Sequence, residues 1–216
     1  MNSQGYKVLK NFIEIGNETF DLFGRLIVDA EPIFNDNPMA KRNDNKRRQV
    51  DLGPKLFRTD PWLKSLKQQI LDLGSSDHVV TDTVLLSSLP GCKAQAAHTD
   101  YVPDASLKAT TDDTVPLLFL LALEDNTFLN VWPASHHHIQ KDLSPSPIHR
   151  KTLVLNKGDA VLFRADLVHG GAAYTTSNMR LHAYLDHPSV PRDPNRTWII
   201  YKHADKSSSL YASIVE

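Results

Sequence analysis

The fold this sequence predicts is mainly β (α+β), a sandwich or barrel with N-terminal helices on one side, and three observations predict it. Apolar side chains recur at helical spacing only within the first third of the chain. From Val79 onward the period changes, and short aliphatic or β-branched runs alternate with turns marked by Pro, Gly, Asn and Asp. One of those runs, residues 116–123, is apolar throughout at strand length, so both of its faces should be covered. Strands that follow a helical region fit sheets with helices packed outside them. A length of 216 residues fits one domain, 1–216, with 1–75 as mainly helical support and loop and 76–203 as the β core.

In order along the chain, Val8, Leu9, Phe12 and Ile13, then Phe20, Phe23, Leu26 and Ile27, are spaced for one or two helices over 6–30. Residues 35–49 turn polar and read as a long loop, and five of the eight residues 41–48 are Lys or Arg. Asp60 is placed as an N-cap, Pro61 suits the first helical turn, and Gly74 stands where a C-terminal cap belongs. Between them Trp62, Leu66, Ile70 and Leu73 form a stripe for burial. Residues 79–86 predict a strand, and Leu89-Pro90-Gly91 a turn. A polar excursion over 103–113 and a proline-containing loop around Pro145 and Pro147 interrupt further strands at 116–123, 127–132, 152–155, 160–163, 179–185 and 198–201.

Composition narrows the class. The 24 basic and 25 acidic residues nearly cancel, so no overall field points to nucleic acid or a membrane surface. No apolar run approaches the roughly 20 residues of a membrane span, and the first residues lack the apolar core of a signal peptide. A single cysteine, Cys92, allows no intrachain disulfide and reads as a small buried thiol. An intracellular, cytoplasmic protein is therefore expected, with the sequons at Asn17 and Asn195 unmodified. Oligomeric state is left open.

The chemistry-bearing residues begin with Ala97-His98-Thr99-Asp100. His98 and Asp100 are two apart, so on a strand both project from one face. His169 follows the run 160–163, and Arg180 stands 11 positions beyond it, far enough to return on a neighbouring strand. Two His and one carboxylate on one side of an octahedral ion leave three positions open, the arrangement of non-haem Fe(II) oxygenases. A guanidinium at Arg180 could hold a dicarboxylate in two-pronged fashion. His203-Ala204-Asp205 has the same spacing but no downstream His, and reads as a surface tripeptide. His136-His137-His138 point in different directions and cannot easily chelate one ion.

This order of residues resembles the Fe(II)- and 2-oxoglutarate-dependent dioxygenases, and within them the phytanoyl-CoA dioxygenase-like group. Leu129-Asn130-Val131-Trp132-Pro133-Ala134-Ser135-His136 is similar to that group's L-x-V-x-P-G-S-H segment, with Ala134 where Gly is usual. Gly158-Asp159, Phe163 and His169-Gly170 match its G-D-x-x-x-F…H-G segment. The likeness spans residues 85–186 and implies a double-stranded β-helix, the jelly-roll or cupin-like barrel. It implies that His98, Asp100 and His169 are catalytic residues holding Fe(II), with 2-oxoglutarate and O2 as co-substrates. Arg180 would anchor the far carboxylate of 2-oxoglutarate, aided by His182, where many relatives have Ser; Gln95 and Tyr101 flank the metal pair as further candidates.

The implied activity is hydroxylation of an organic substrate, most simply a small molecule, with release of succinate and CO2. Asp100 favours hydroxylation, because related halogenases lack the carboxylate ligand. A prolyl-hydroxylase-like enzyme acting on protein side chains, a non-oxygenase cupin-like metal-binding protein and a zinc hydrolase are the rival readings. The last leaves Arg180 unexplained. Arg47 and Arg48, read as part of an entrance loop, are expected to recruit an anionic substrate.

Overall fold

The computed structural model describes residues 3–33, 46–101, 114–139, 150–190, 192, 197–201 and 211–215. Two antiparallel sheets face each other. The larger contains β1 (Tyr6–Leu9), β2 (Glu31–Pro32), β3 (Arg47–Asp51), β4 (Val79–Ser88), β6 (Leu117–Ala122), β9 (Ala160–Arg164) and β11 (Asn178–Asp186), in the order β1-β9-β6-β11-β4-β3-β2. The smaller contains β5 (His98–Thr99), β7 (Thr127–Val131), β8 (Lys151–Leu155), β10 (His169–Gly171), β12 (Thr197–Tyr201) and β13 (Tyr211–Val215), in the order β13-β12-β5-β10-β7-β8. Helices α1 (Asn17–Leu26), α2 (Pro54–Thr59) and α3 (Pro61–Leu71) cover the outer face of the larger sheet, and a short α4 (His136–Ile139) follows β7.

Strand alternation divides the larger sheet between two cores. In β6, Leu117, Phe119 and Leu121 pack with Phe23, Leu63, Leu66 and Ile70 of the helices. Leu118, Leu120 and Ala122 instead pack inward with Leu129, Val131, Leu153 and Leu155 of the smaller sheet. All six β6 residues are buried, as a continuously apolar strand requires. The same alternation in β11 sends Leu181, Ala183 and Leu185 to the helices. Asn178, Arg180, His182 and Tyr184 therefore face the space between the sheets.

Several elements match their punctuation. The Asp60 side chain accepts from Leu63 N at 2.9 Å as the α3 N-cap, with Pro61 in the first turn. Gly91 (φ 77°) and Gly158 (φ 86°) occupy left-handed turn positions. Asp159 accepts from Lys10 Nζ at 2.7 Å and from the backbone N–H groups of Asn11 and Asn156, both at 2.9 Å. That explains a buried carboxylate beside Gly158, because it gathers the start of the chain onto the turn before β9. Burial raises the Asp159 pKa, but the Lys10 and backbone hydrogen bonds outweigh it and hold the carboxyl below its usual value.

Other expectations are corrected. Tyr6–Leu9 is a strand paired with β9, because Asn11 at φ 49° breaks the chain before Phe12 and Ile13, which pack on the helical core. Residues 47–51 form β3 rather than a loop; their polar sequence conceals that Arg47 points inward. Helix α3 ends at Leu71 with Asp72 as its C-cap, and Gly74 lies beyond it, close against the His78 side chain. The C-terminal pair β12–β13 gains Tyr211–Val215, which no pattern had marked. The excursion 103–113, the loop around Pro145 and Pro147, and His203-Ala204-Asp205 lie outside the described residues. No helix among the described residues is long and apolar enough to cross a membrane.

Candidate metal and co-substrate site

His98 and His169 are direct cross-strand partners between β5 and β10. Residues in that relation have their side chains side by side, and the two rings lie 4.5 Å apart. Asp100, two residues beyond His98, closes the group: Oδ1 is 3.7 Å from His98 Nε2, and Oδ2 is 3.7 Å from His169 Nε2. Among the described residues, this is the group of His, Cys, Asp or Glu whose ligand atoms, all within 4.8 Å of one another, could hold a metal ion. One ion with bonds of about 2.0–2.2 Å can bridge atoms at this spacing with small adjustments.

The outer hydrogen bonds fix the orientation of the donors. His98 Nδ1 lies 2.7 Å from Ala96 O, and His169 Nδ1 lies 3.0 Å from Leu167 O. A carbonyl only accepts, so each Nδ1 carries the proton and each Nε2 keeps its lone pair toward the shared point. The two bonds have the same form, from a ring to the carbonyl two residues earlier, so both strands present imidazole in the same way. Tyr184 donates to Asp100 Oδ2 at 3.2 Å, leaving Oδ1 toward His98.

Electrostatics agree with a neutral His98 beside one anion. Burial, then the neighbouring His169, pushes His98 down to about 4, although Asp100 pulls the other way. Burial raises the Asp100 pKa, but His169, His98 and His182 outweigh it and hold the carboxyl below its usual value. Burial, with Asp100 next, raises the Tyr184 phenol well above the ordinary tyrosine range, so it remains a donor.

The larger sheet supplies the other side. Arg180 is 2% exposed; its Nη1 donates to Ser88 Oγ at 3.0 Å, and its guanidinium lies 5.5 Å from the Tyr174 ring. His182, next on the same face of β11, stacks toward Phe163 (6.2 Å) and meets Tyr184 edge-on (4.7 Å), while Phe163 also abuts His169 (4.9 Å). Burial pushes His182 down to about 4 despite Asp100, so it too is neutral at ordinary pH. A buried guanidinium, a neutral imidazole and a triad that could hold a metal ion thus line one interior.

The remaining candidates are placed differently. Gln95 Oε1 accepts from Gly171 N at 2.8 Å, fastening the approach to the metal pair onto β10. Tyr101 is 3% exposed and its hydroxyl donates to Asp186. Arg47 and Arg48 occupy opposite faces of β3, which corrects their placement on one entrance loop. Arg48 is exposed and reaches Ala30 O at 3.4 Å, whereas Arg47 is fully buried. Arg164 pairs bidentately with Asp166 at 2.9 and 3.0 Å. Tyr184 and Ser88 were missed. Tyr184 could have been found as the next inward position after Arg180 and His182; Ser88 carries no signal in the sequence.

No protein-family model matches the chain. In sequence it is 28% identical over 173 residues to Dioxygenase trt7 of Aspergillus terreus, an alignment covering 69% of this chain and 60% of that protein. The chain therefore spans about three fifths of that relative's length. In structure it is similar to the epimerase SnoN in complex with Fe3+, α-ketoglutarate and nogalamycin RO. That likeness has a TM-score of 0.60 and 17% identity, over 97% of this chain and 90% of SnoN. It is also similar to HygX of Streptomyces hygroscopicus with nickel, 2-oxoglutarate and hygromycin B bound. There the TM-score is 0.60 and the identity 13%, over 86% of this chain and 84% of HygX. The two facing sheets form the double-stranded β-helix, the fold shared with these two proteins, as expected. Sequence relation and fold support the superfamily resemblance; neither sets the phytanoyl-CoA dioxygenase-like group apart from its neighbours.

Proposed function

We propose that this chain is a member of the Fe(II)- and 2-oxoglutarate-dependent dioxygenase superfamily that hydroxylates a small organic molecule. The observation that carries this reading is the His98–His169 cross-strand pair, closed by Asp100, with both Nδ1 atoms tied back to carbonyls. Neutral Nε2 donors and one carboxylate suit Fe(II), and a buried arginine on the opposite sheet suits the far carboxylate of an oxo diacid. Bound iron, with 2-oxoglutarate and O2 as co-substrates, supplies the oxidising chemistry, releasing succinate and CO2 as oxygen enters the substrate.

The chain's own residues bind, orient and exclude water. His98, Asp100 and His169 hold the metal from one side, and Tyr184 keeps Asp100 turned so that one oxygen faces each histidine. Arg180 fixes the length and charge of the co-substrate. Phe163, Leu118 and Leu120 supply an apolar wall that keeps water from competing for the charged groups. A small-molecule substrate is supported by the bound nogalamycin RO of SnoN and hygromycin B of HygX.

The test is metal-dependent turnover. Protein reconstituted with Fe(II) should form succinate from 2-oxoglutarate under air, and protein loaded with Zn(II) should not. Small-molecule extracts incubated with the Fe(II) form should yield a product heavier by one oxygen. Succinate formation that is equal with Zn(II), or absent with Fe(II), would overturn the reading. A gain of one oxygen on peptides alone would move it to the protein side-chain class.

A further inference from the structure

The three candidate ligands are not held in the same way. Each imidazole is tied through its Nδ1 to a carbonyl two residues earlier in its own segment. Asp100 lies one residue beyond β5, and a carboxylate has no hydrogen to give a carbonyl. It needs a donor, and Tyr184 supplies one from the opposite sheet, its hydroxyl reaching Oδ2 at 3.2 Å. The aim of the Asp100 carboxylate therefore depends on what fixes the Tyr184 ring.

Arg192 covers that ring. Its guanidinium carbon lies 4.0 Å from the ring centroid, and its side chain is only 7% exposed. At this distance a guanidinium is attracted to the negative face of the ring, more strongly where water is excluded. His182 meets the same ring edge-on at 4.7 Å. Arg192 arrives there because the chain reverses after β11. Val190 N donates to His187 O at 2.9 Å, and two residues later the side chain returns to the strand it has left.

Two carboxylates hold Arg192 in turn. Its Nε lies 3.3 Å from both oxygens of Asp186, and its Nη2 donates to Asp82. Asp186 also accepts from Thr81 Oγ1 at 2.7 Å and from the Tyr101 hydroxyl. A bulge between β4 and β11 makes the cluster possible. Ala183 is opposite Thr83 and Leu185 is opposite Val80, so Thr81 and Asp82 together stand against Tyr184. A regular strand would send those two side chains to opposite faces, and the extra residue lets both reach one place. Tyr101 directly follows Asp100, so the cluster grips this ligand twice, at its side chain through Tyr184 and at its neighbour through Tyr101. An ordinary salt bridge would need only the two carboxylates; the seat over the donor to Asp100 is what it leaves unexplained.

We propose that Arg192 is a positioning residue for the metal site: anchored by Asp82 and Asp186, it holds the Tyr184 hydroxyl on Asp100 and so aims the carboxylate between the two histidines. The proposal rests on the metal-site reading above and extends it to a residue that acts through Tyr184 rather than on the metal.

The experiment is a double-mutant cycle on metal affinity, with Co(II) as the probe in competition with a chelator under exclusion of air. Arg192→Gln should weaken Co(II) binding about fivefold in the native background. In Tyr184→Phe, which has no hydroxyl left to hold, the same change should cost less than about twofold. The visible bands of bound Co(II), which report its ligands, should shift in Arg192→Gln as they do in Tyr184→Phe. Urea unfolding of the metal-free variants reads fold stability separately. If Arg192→Gln fails to fold, the cycle is run with Arg192→Lys, which keeps the charge but not the flat guanidinium. Equal losses of affinity in the two backgrounds, or no loss in either, would overturn the proposal, the former because Arg192 then acts on the fold alone. Native protein that binds no Co(II), or a His169→Ala variant that binds it equally well, would instead overturn the metal-site reading beneath it.

Discussion

Metal-free protein should lose stability on mild acidification, and two buried histidines set the size of the loss. His98 and His182 are each pushed from 6.5 down to about 4, chiefly by burial. Their folded values lie below their unfolded ones, so between about pH 6.5 and 4 the unfolded chain binds protons that the folded chain refuses. Stability is therefore full above that window and falls as pH drops through it. The loss is about 1.4 kcal/mol per pH unit for each group. Moving from pH 7.5 to 5.0 crosses about 1.5 pH units of the window, so the pair should cost about 4 kcal/mol, a large part of the ~5–15 kcal/mol that holds a domain together. Asp100 has its pKa lowered and so loses its contribution only at more acid pH, outside this interval. The assay is urea unfolding of chelator-treated protein at both pH values, with His182→Gln alongside, for which about half of the drop should disappear. A native loss under about 1 kcal/mol would refute the claim that these imidazoles are buried and neutral.

Four substitutions extend the reasoning. His169→Ala should abolish both metal binding and the absorption that 2-oxoglutarate gives with anaerobic Fe(II). Arg180→Leu should leave metal binding intact and raise the 2-oxoglutarate needed for half-saturation by about 30-fold, equivalent to roughly 2 kcal/mol for a buried charge-assisted contact. Tyr184→Phe keeps the ring but removes the hydrogen bond to Asp100, and should lower metal affinity by about tenfold in a competition titration with a chelator. Ala134 sits at φ 61°, so Ala134→Gly should relieve left-handed strain and raise stability by about 1 kcal/mol in urea unfolding.

Ala134 also shows how far the chain could be read in advance. Its motif has Gly at that position, and the left-handed backbone supplies the reason. The metal pair was legible because its encoding is local: two residues apart on a strand means one face, whatever the fold. The inward set Arg180, His182 and Tyr184 obeys the same rule on β11. Register is not local. That His169 lies directly opposite His98 depends on the pairing of two strands of three and two residues, too short to carry a periodic signal. Arg47 was misread for a related reason: charge density marks solvent on average, and only the pairing of β3 with β4 turns one of five neighbouring cations into a fully buried group.

The division between the sheets gives the site an order of dependence. The ligands stand on β5 and on β10 of the smaller sheet, or one residue beyond, while Arg180, Ser88 and His182 stand on the larger sheet facing them. The three candidate ligands lie on or beside the smaller sheet, and the larger sheet reaches them through the Tyr184 hydrogen bond to Asp100. On the proposed function a 2-oxo acid would engage both, the triad's metal at one end and Arg180 at the other, so its affinity would depend on the spacing between the sheets. Phe163 of the larger sheet meets both His169 and His182, so its packing bears on the triad and on the inner face of β11 alike.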